Sequence, residues 1–454
     1  MIGMRTGGWR PALAVLLALP GLCGLVPLDA APPPAPNLAA LREAALREAA
    51  GPAPVSTPVA IVGGTVITVT RGIIPNGTVL IRDGKIAAVG HALPPPAGAL
   101  VIDATGKYVM PGLIDTHSHL GVYPWPNARA HDDGNEMTEP LTPHMRAEDG
   151  LFLEDPGMDR VRAGGVTTVQ IIPGSANLQG GQAVILKLRL GNTLDDLKFK
   201  DAPRGIKMAF GENPKRVYGS KGQAPMTRMG NSAVMRQAFT RAREYQKQWA
   251  EFEANSRAGR PTVRPEKDAK METLIDVLEG RVRVHVHCYR KDDLLAMIRI
   301  ADEFGFKIAS FQHCLEGYKI AHELAKRDIG AATWPDWWGF KMEAWDAIPQ
   351  NASLLAAAGV RVSLHSDSAN VAQRLFGEAG KAVRYGMRPD QAIKAITWWP
   401  ATILGIESRV GSLEAGKDAD IAIFTKHPFD VYSTVEKTLI DGQVVWDAAA
   451  KEKP

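Results

Sequence analysis

The chain has 454 residues and a formal net charge of +4, with 45% hydrophobic and 22% charged residues. This length favours one large domain with a smaller second one over a single small core. A charge so close to zero, without a run of Lys or Arg, gives no electrostatic support for nucleic-acid binding.

The first 30 residues predict a secretory signal peptide. Arg5 and Arg10 form a positive start, an apolar run follows, and residues 28–30 end it with a small-residue cleavage site. The apolar run is too short for a stable membrane span. A lipid anchor at Cys23 is disfavoured because a bulky leucine precedes it. We therefore expect a secreted or periplasmic protein, with residues 31–58 as a flexible linker rich in Ala and Pro.

Both ends of the remaining chain predict short β-strands. Residues 59–108 are β-branched, and the Asn76-Gly77 and Asp83-Gly84 pairs in them are typical of hairpin turns. Residues 403–450 repeat this pattern, with a further Asp-Gly pair at Asp441. We predict a small β-sandwich built from both ends, which brackets an inserted domain.

Between these ends, residues 109–402 alternate strands with helical stretches. This alternation predicts a parallel sheet, and eight strands favour a (β/α)8 barrel. An open doubly wound sheet is the alternative, but no G-x-G-x-x-G follows a strand. Residues 213–280 are polar and helical, and we interpret them as an insertion after the fourth strand that either covers the catalytic face or stays solvated. The predicted strands are Leu113–His119, Val166–Ile172, Ala183–Leu188, Ile206–Gly211, Val282–Cys288, Lys307–His313, Ile329–Trp334 and Val360–Asp367.

The stretch PGLIDTHSHLG, residues 111–121, places two histidines at the end of the first barrel strand. Side chains alternate along a strand, so His117 and His119 project from one face and can reach one divalent cation. A barrel gathers the carboxyl ends of its strands at one mouth, where further candidate ligands follow. These are Glu212 after the fourth strand, His285 and His287 in the fifth, His313 in the sixth, and His365 and Asp367 in the eighth.

The H-x-H motif and the later VGSLEAGKDADIAIF stretch resemble the amidohydrolase superfamily, most closely the imidazolonepropionase-like branch and related dipeptidases. The resemblance implies one or two divalent ions, with zinc expected. Its bridging ligand is a carboxylated lysine in many relatives and glutamate in others; we favour Glu212 because Lys207 starts its strand, and Lys215 is a weaker alternative. His285 and His365 are assigned to the layer behind the metal. The implied metal ligands are His117, His119, Glu212, His287, His313 and Asp367.

The implied chemistry is hydrolysis of a C–N bond in an amide, cyclic amide or dipeptide by a metal-activated hydroxide, with Asp367 as general base and then acid. The alternatives are deamination of an amino-heterocycle at the same site and a non-catalytic assembly protein, in which ligands would be expected to be lost. The partner is a small-molecule or peptide-like substrate, and a homo-oligomer is left open. Candidate substrate contacts, each with a structural or surface role as the alternative, are Asn177, Gln182, Arg216 and His144.

Overall fold

The computed structural model describes residues 57–450, so the predicted signal peptide and nearly all of the linker lie outside the described residues. Two sheets of eight strands organise this part of the chain. In chain order the strands are β1 Val59–Ile67, β2 Ile73–Arg82, β3 Lys85–His91, β4 Leu100–Asp103, β5 Tyr108–Pro111, β6 Leu113–Ser118, β7 Val166–Ile171, β8 Gln179–Lys187, β9 Gly205–Ala209, β10 Arg283–Cys288, β11 Ile308–His313, β12 Gly330–Thr333, β13 Val362–Leu364, β14 Ile421–Phe424, β15 Val435–Ile440 and β16 Gln443–Asp447.

Helices follow most of the barrel strands. Among the described residues, no helix combines the length and the apolar character needed to cross a bilayer. The helices are α1 Pro156–Ala163, α2 Leu194–Leu197, α3 Glu212–Gly219, α4 Arg228–Arg257, α5 Ala269–Leu278, α6 Lys291–Phe304, α7 Ala321–Lys326, α8 Asn351–Ala357, α9 Ala369–Ala372, α10 Leu375–Arg384, α11 Pro389–Ala395 and α12 Trp398–Leu404.

The strands β6 to β13 form the predicted barrel and lie side by side in chain order. Strand β8 departs from the predicted parallel arrangement, because it runs antiparallel to both β7 and β9. Residues 172–178 join β7 to β8 without a helix. A parallel strand needs a crossover of a dozen or more residues, so this short connection returns the chain in the opposite direction.

Hydrogen bonds between the first and last barrel strands bring their ends together. The hydroxyls of Thr116 and Ser363 lie 2.9 Å apart, and the backbone N–H of Asp367 donates to the carbonyl oxygen of His117 at 3.0 Å. The buried carboxylate of Asp115 accepts from the backbone N–H of Ser366 at 3.2 Å. This seam places Asp367 beside the two histidines of β6.

The second sheet confirms the sandwich built from both chain ends: its order is β16-β15-β14-β5-β1-β2-β3, with β4 paired to β1. Asp83 and Asp441 have φ values of 52° and 48° and each precedes a glycine in the two-residue turn of a hairpin, as predicted. Asn76 and Gly77 do not form a turn. They lie within β2, where the pairing with β1 is irregular.

Residues 213–280, the predicted insertion, contain most of α3 and all of α4 and α5. The 30-residue helix α4 begins after Thr227, whose side chain accepts a hydrogen bond from the backbone N–H of Gly230. Its buried face includes Phe239, which stacks on Phe306 with ring centroids 4.7 Å apart. The apolar stripe therefore packs on the barrel, and the polar residues face outward.

A buried lysine joins the two sheets. Lys187, at the end of β8, is fully buried, and its Nζ lies 2.7 Å from Asp418, 3.0 Å from Asp420 and 2.5 Å from Asp441. The three carboxylates belong to the C-terminal half of the sandwich. The ammonium group of Lys187 therefore links the barrel strand β8 to the sandwich.

Candidate active site

Strand β6 delivers His117 and His119 to the mouth of the barrel with their ring orientations fixed. The Nδ1 of His117 lies 2.9 Å from Oε1 of Gln312, and the Nδ1 of His119 lies 2.8 Å from the carbonyl oxygen of Ile172. Both partners are acceptors, so each Nδ1 carries the proton and each Nε2 presents a lone pair. This second hydrogen bond is typical of histidines that bind metal.

The carboxylate of Asp367 faces both lone pairs. Its Oδ1 lies 3.2 Å from Nε2 of His117 and 3.0 Å from Nε2 of His119. Burial lowers the pKa of His117 to about 3, so this imidazole is neutral at physiological pH. Three acceptor atoms that point at one another repel unless a cation lies between them, so the donor set fits a divalent metal.

More histidines line the barrel interior behind this group. One ring nitrogen each of His117, His313 and His365 lies within 4.8 Å of the other two. The ring of His287 contacts that of His313, with centroids 4.6 Å apart. Buried nitrogens of His287, His313 and His365 have no hydrogen-bond partner among the described residues, so lone pairs or N–H groups in this part of the barrel interior are free to interact with a further group. The Nδ1 of His285 lies 2.8 Å from Oγ of Ser310, and its structural role stays a prediction.

Lys207 is the residue that sequence reasoning misplaced. It is fully buried, and its Nζ lies 3.4 Å from Nε2 of His117 and 3.1 Å from the carbonyl oxygen of Pro173. The expectation that it lies near the far end of the barrel is wrong, because its long side chain extends up the interior to the mouth. Burial lowers its pKa to about 7. A lysine in the middle of an apolar strand was the available signal.

Glu212, the expected bridging ligand, lies away from the converging ligand atoms. It begins α3, and its carboxylate lies 3.3 Å from Nζ of Lys341. Its backbone N–H donates to the buried carboxylate of Glu343 at 2.7 Å. It belongs to neither group of converging ligand atoms among the described residues. The structure therefore does not bring Glu212 together with the histidines.

A cavity of about 590 Å³ opens beside the converging ligands. His119, Tyr123, Asn135 and Asp367 contribute to its wall. The ring of Trp334 stacks on that of His313, with centroids 4.4 Å apart. The cavity is large enough for a small-molecule substrate, and the carboxylate of Asp367 forms part of its wall.

The four candidate substrate contacts lie away from this cavity. Asn177 is buried, and its Nδ2 donates to the carbonyl oxygen of Glu136 at 2.6 Å, which favours the structural role. Gln182 and His144 line two other clefts, and Arg216 is exposed on α3. Asn177 and His144 lie in loops, whereas Gln182 lies in β8 and Arg216 in α3. Their separation from the cavity follows from how these elements pack, which the sequence did not reveal.

Comparisons with known proteins show the family to which the chain belongs. The profile of the amidohydrolase family matches residues 346–445. A crystal structure of an amidohydrolase from Thermotoga maritima is 39% identical over 86% of this chain and all of that chain, with a TM-score of 0.80. The amidohydrolase tasK of Hapsidospora irregularis is 35% identical over 82% of this chain, which spans 40% of the relative's length. A 5-methylthioadenosine/S-adenosylhomocysteine deaminase of Symbiobacterium thermophilum is 26% identical over 85% of this chain and 90% of its own.

The barrel and its histidine–aspartate group define the class: this is a metal-dependent hydrolase that acts on carbon–nitrogen bonds. The chain belongs to the amidohydrolase family. These comparisons establish the family and not the imidazolonepropionase-like branch, which stays a prediction.

Proposed function

We propose that the chain hydrolyses the C–N bond of an amide, a cyclic amide or a dipeptide at the site formed by His117, His119 and Asp367. The observation that carries this proposal is the convergence of two imidazoles and a carboxylate at 3.0 and 3.2 Å. His287 and His313 extend the donor set inward. One or two zinc ions held there would supply Lewis acidity for the substrate carbonyl and lower the pKa of water.

Asp367 is the residue that we assign to proton transfer. Its carboxylate contacts the histidines through Oδ1, and it also contributes to the cavity wall. It therefore lies between the metal ligands and the space for the substrate. In this position it accepts the proton of the attacking water and returns it to the leaving nitrogen.

We further propose that Lys207, rather than Glu212, supplies the bridging carboxylate. With a pKa of about 7, a large share of this amine is neutral near pH 7. A neutral amine attacks the carbon of CO2, forms an N–C bond and releases one proton, which leaves a carbamate anion. That anion would put oxygen ligands beside His117, where the amine already lies at 3.4 Å.

Lys207→Met is expected to lower kcat/KM by about 10²–10³-fold and to reduce the bound metal, because a bridging ligand is removed. Glu212→Gln is the matched comparison, and we expect it to change kcat/KM by less than about tenfold, since its partner is Lys341. Elemental analysis and steady-state kinetics measure both variants. A larger loss of metal in Glu212→Gln than in Lys207→Met would restore Glu212 as the bridge.

Deamination of an amino-heterocycle is the second candidate, and the similarity to the deaminase of Symbiobacterium thermophilum favours it. The same carboxylate of Asp367 would transfer the proton, but the product would be ammonia. Assays that separate ammonia from larger amines distinguish the two reactions.

The test of the proposed function is a screen of zinc-loaded protein against dipeptides, cyclic amides and amino-heterocycles. We expect about one to two ions per chain and turnover of one of the first two classes. A protein that binds no metal and turns over nothing would instead support the non-catalytic assembly alternative.

We also propose that the protein is exported, because residues 1–30 carry the pattern of a secretory signal. Expression of the full chain in a Gram-negative host, followed by fractionation and N-terminal sequencing, is expected to give a periplasmic protein that begins at Ala31. Recovery of the uncleaved chain from the cytoplasm would contradict this prediction.

A further inference from the structure

Tyr123 lies beside the proposed metal ligands and lines the cavity, but it is not itself one of those ligands. Its ring packs edge-to-face on His119, with centroids 5.2 Å apart. It shares the wall of the 590 Å³ cavity with Asp367. A substrate whose C–N bond lies next to Asp367 would therefore come close to the Tyr123 hydroxyl.

The neighbouring hydrogen bonds leave the proton of this hydroxyl uncommitted. Oδ1 of Asn135 accepts from the backbone N–H of Ala176 at 3.0 Å, which fixes the orientation of the amide group. The Nδ2 of Asn135 therefore donates to the Tyr123 hydroxyl oxygen. A phenol that accepts through its oxygen still has its own O–H to donate elsewhere.

Two glycines allow this pair to form. A Cβ atom at Gly134 would lie 2.2 Å from Cζ of Tyr123, and one at Gly174 would lie 2.1 Å from Nδ2 of Asn135. The backbone N–H of Gly174 donates to the carbonyl oxygen of Gly134 at 2.8 Å. This hydrogen bond joins the loops after β6 and β7 beside the tyrosine and its amide partner.

We infer that Tyr123 is a further catalytic residue, whose hydroxyl donates a hydrogen bond to the carbonyl oxygen of the substrate, and that Asn135 is its positioning residue. This inference rests on the proposed hydrolysis of a C–N bond. Negative charge grows on that oxygen as the carbonyl carbon becomes tetrahedral, so the hydrogen bond strengthens during the reaction. The proton stays on the tyrosine, because the group acts as a donor and not as an acid.

Tyr123→Phe tests the inference because it removes one oxygen atom and keeps the ring. In zinc-loaded protein we expect kcat to fall by about 10²-fold with KM within about threefold, and metal content to be unchanged. Methylphosphonate serves as a tetrahedral probe, and its dissociation constant, measured by calorimetry, should rise by about tenfold. Tyr432→Phe, at a tyrosine that is 76% exposed, is the control and should match the wild type.

Asn135→Asp tests the positioning role. A carboxylate there still accepts from the backbone N–H of Ala176, but it also accepts the hydrogen bond of the Tyr123 hydroxyl. The decrease in kcat should therefore match that of Tyr123→Phe. The variant that carries both substitutions should show no further decrease. Unchanged kcat and probe affinity in metal-replete Tyr123→Phe would overturn the inference, as would a wild type that fails to bind the probe. If the wild type binds the probe through Tyr123 but hydrolyses no amide, the proposed function fails while the ligand contact stands.

Discussion

Replacing both His117 and Asp367 by alanine is expected to yield a folded protein without bound metal, with kcat/KM lowered by about 10⁴-fold or more. The two residues supply two of the three atoms that converge at 3.0 to 3.2 Å. Without them His119 loses the partners needed to chelate a cation, and the proton acceptor is lost as well. Elemental analysis after dialysis and steady-state kinetics measure the two effects, and circular dichroism checks the fold.

The matched control for this double variant is His322→Ala. His322 is exposed on α7, and we expect the wild-type metal content and rate after its removal. Wild-type metal retention in the His117 and Asp367 double variant would show that the cation lies elsewhere, and the ligand assignment would have to be abandoned.

The second large effect concerns stability. Lys187→Met is expected to lower the free energy of unfolding by about 3–5 kcal/mol, because three carboxylates then lose their buried cation. Chemical denaturation at pH 7 measures the change. Lys85→Met is the control: Lys85 contacts the same Asp418, but its side chain is 47% exposed, so we expect a loss of about 0–1 kcal/mol.

The deficit of Lys187→Met should shrink in acid. Although burial opposes it, the charge of Lys187 lowers the pKa of Asp418 to about 2, below the ordinary value of 3.8. The contribution of this carboxylate is therefore present above about pH 4 and is lost as the pH falls towards 2. Denaturation at pH 3 should show a smaller gap between the variant and the wild type than at pH 7. An equal gap at both pH values would mean that the methionine acts by packing and not by charge.

Local patterns predicted much of the fold. The eight barrel strands and the sandwich from both chain ends follow from β-branched runs, Asp-Gly turns and strand–helix alternation. The direction of β8 did not follow, because an apolar strand has the same residue pattern whether its neighbours are parallel or antiparallel. The turn predicted at Asn76-Gly77 was wrong for a similar reason, because the same pair of residues also occurs at an irregularity within a strand.

The ligand set was predictable to the extent that strand ends meet at one mouth. This rule placed His117, His119 and Asp367 together, as the structure has them. The rule did not account for the length of a side chain. It therefore placed Lys207 too far from the mouth of the barrel and Glu212 too close to the histidines. It also could not reveal Tyr123, whose hydroxyl depends on Asn135 and on two glycines in separate loops.

The sequence by itself determined which side chains are available and which face of each strand they occupy, because alternation along a strand is a local property. The tertiary structure decided which of them share one cation, since that depends on barrel closure, on side-chain length and on loops that cross from distant strands. Lys207 of β9 lies 3.4 Å from Nε2 of His117 of β6 because the two side chains meet inside the barrel, although their strands are not neighbours in the sheet.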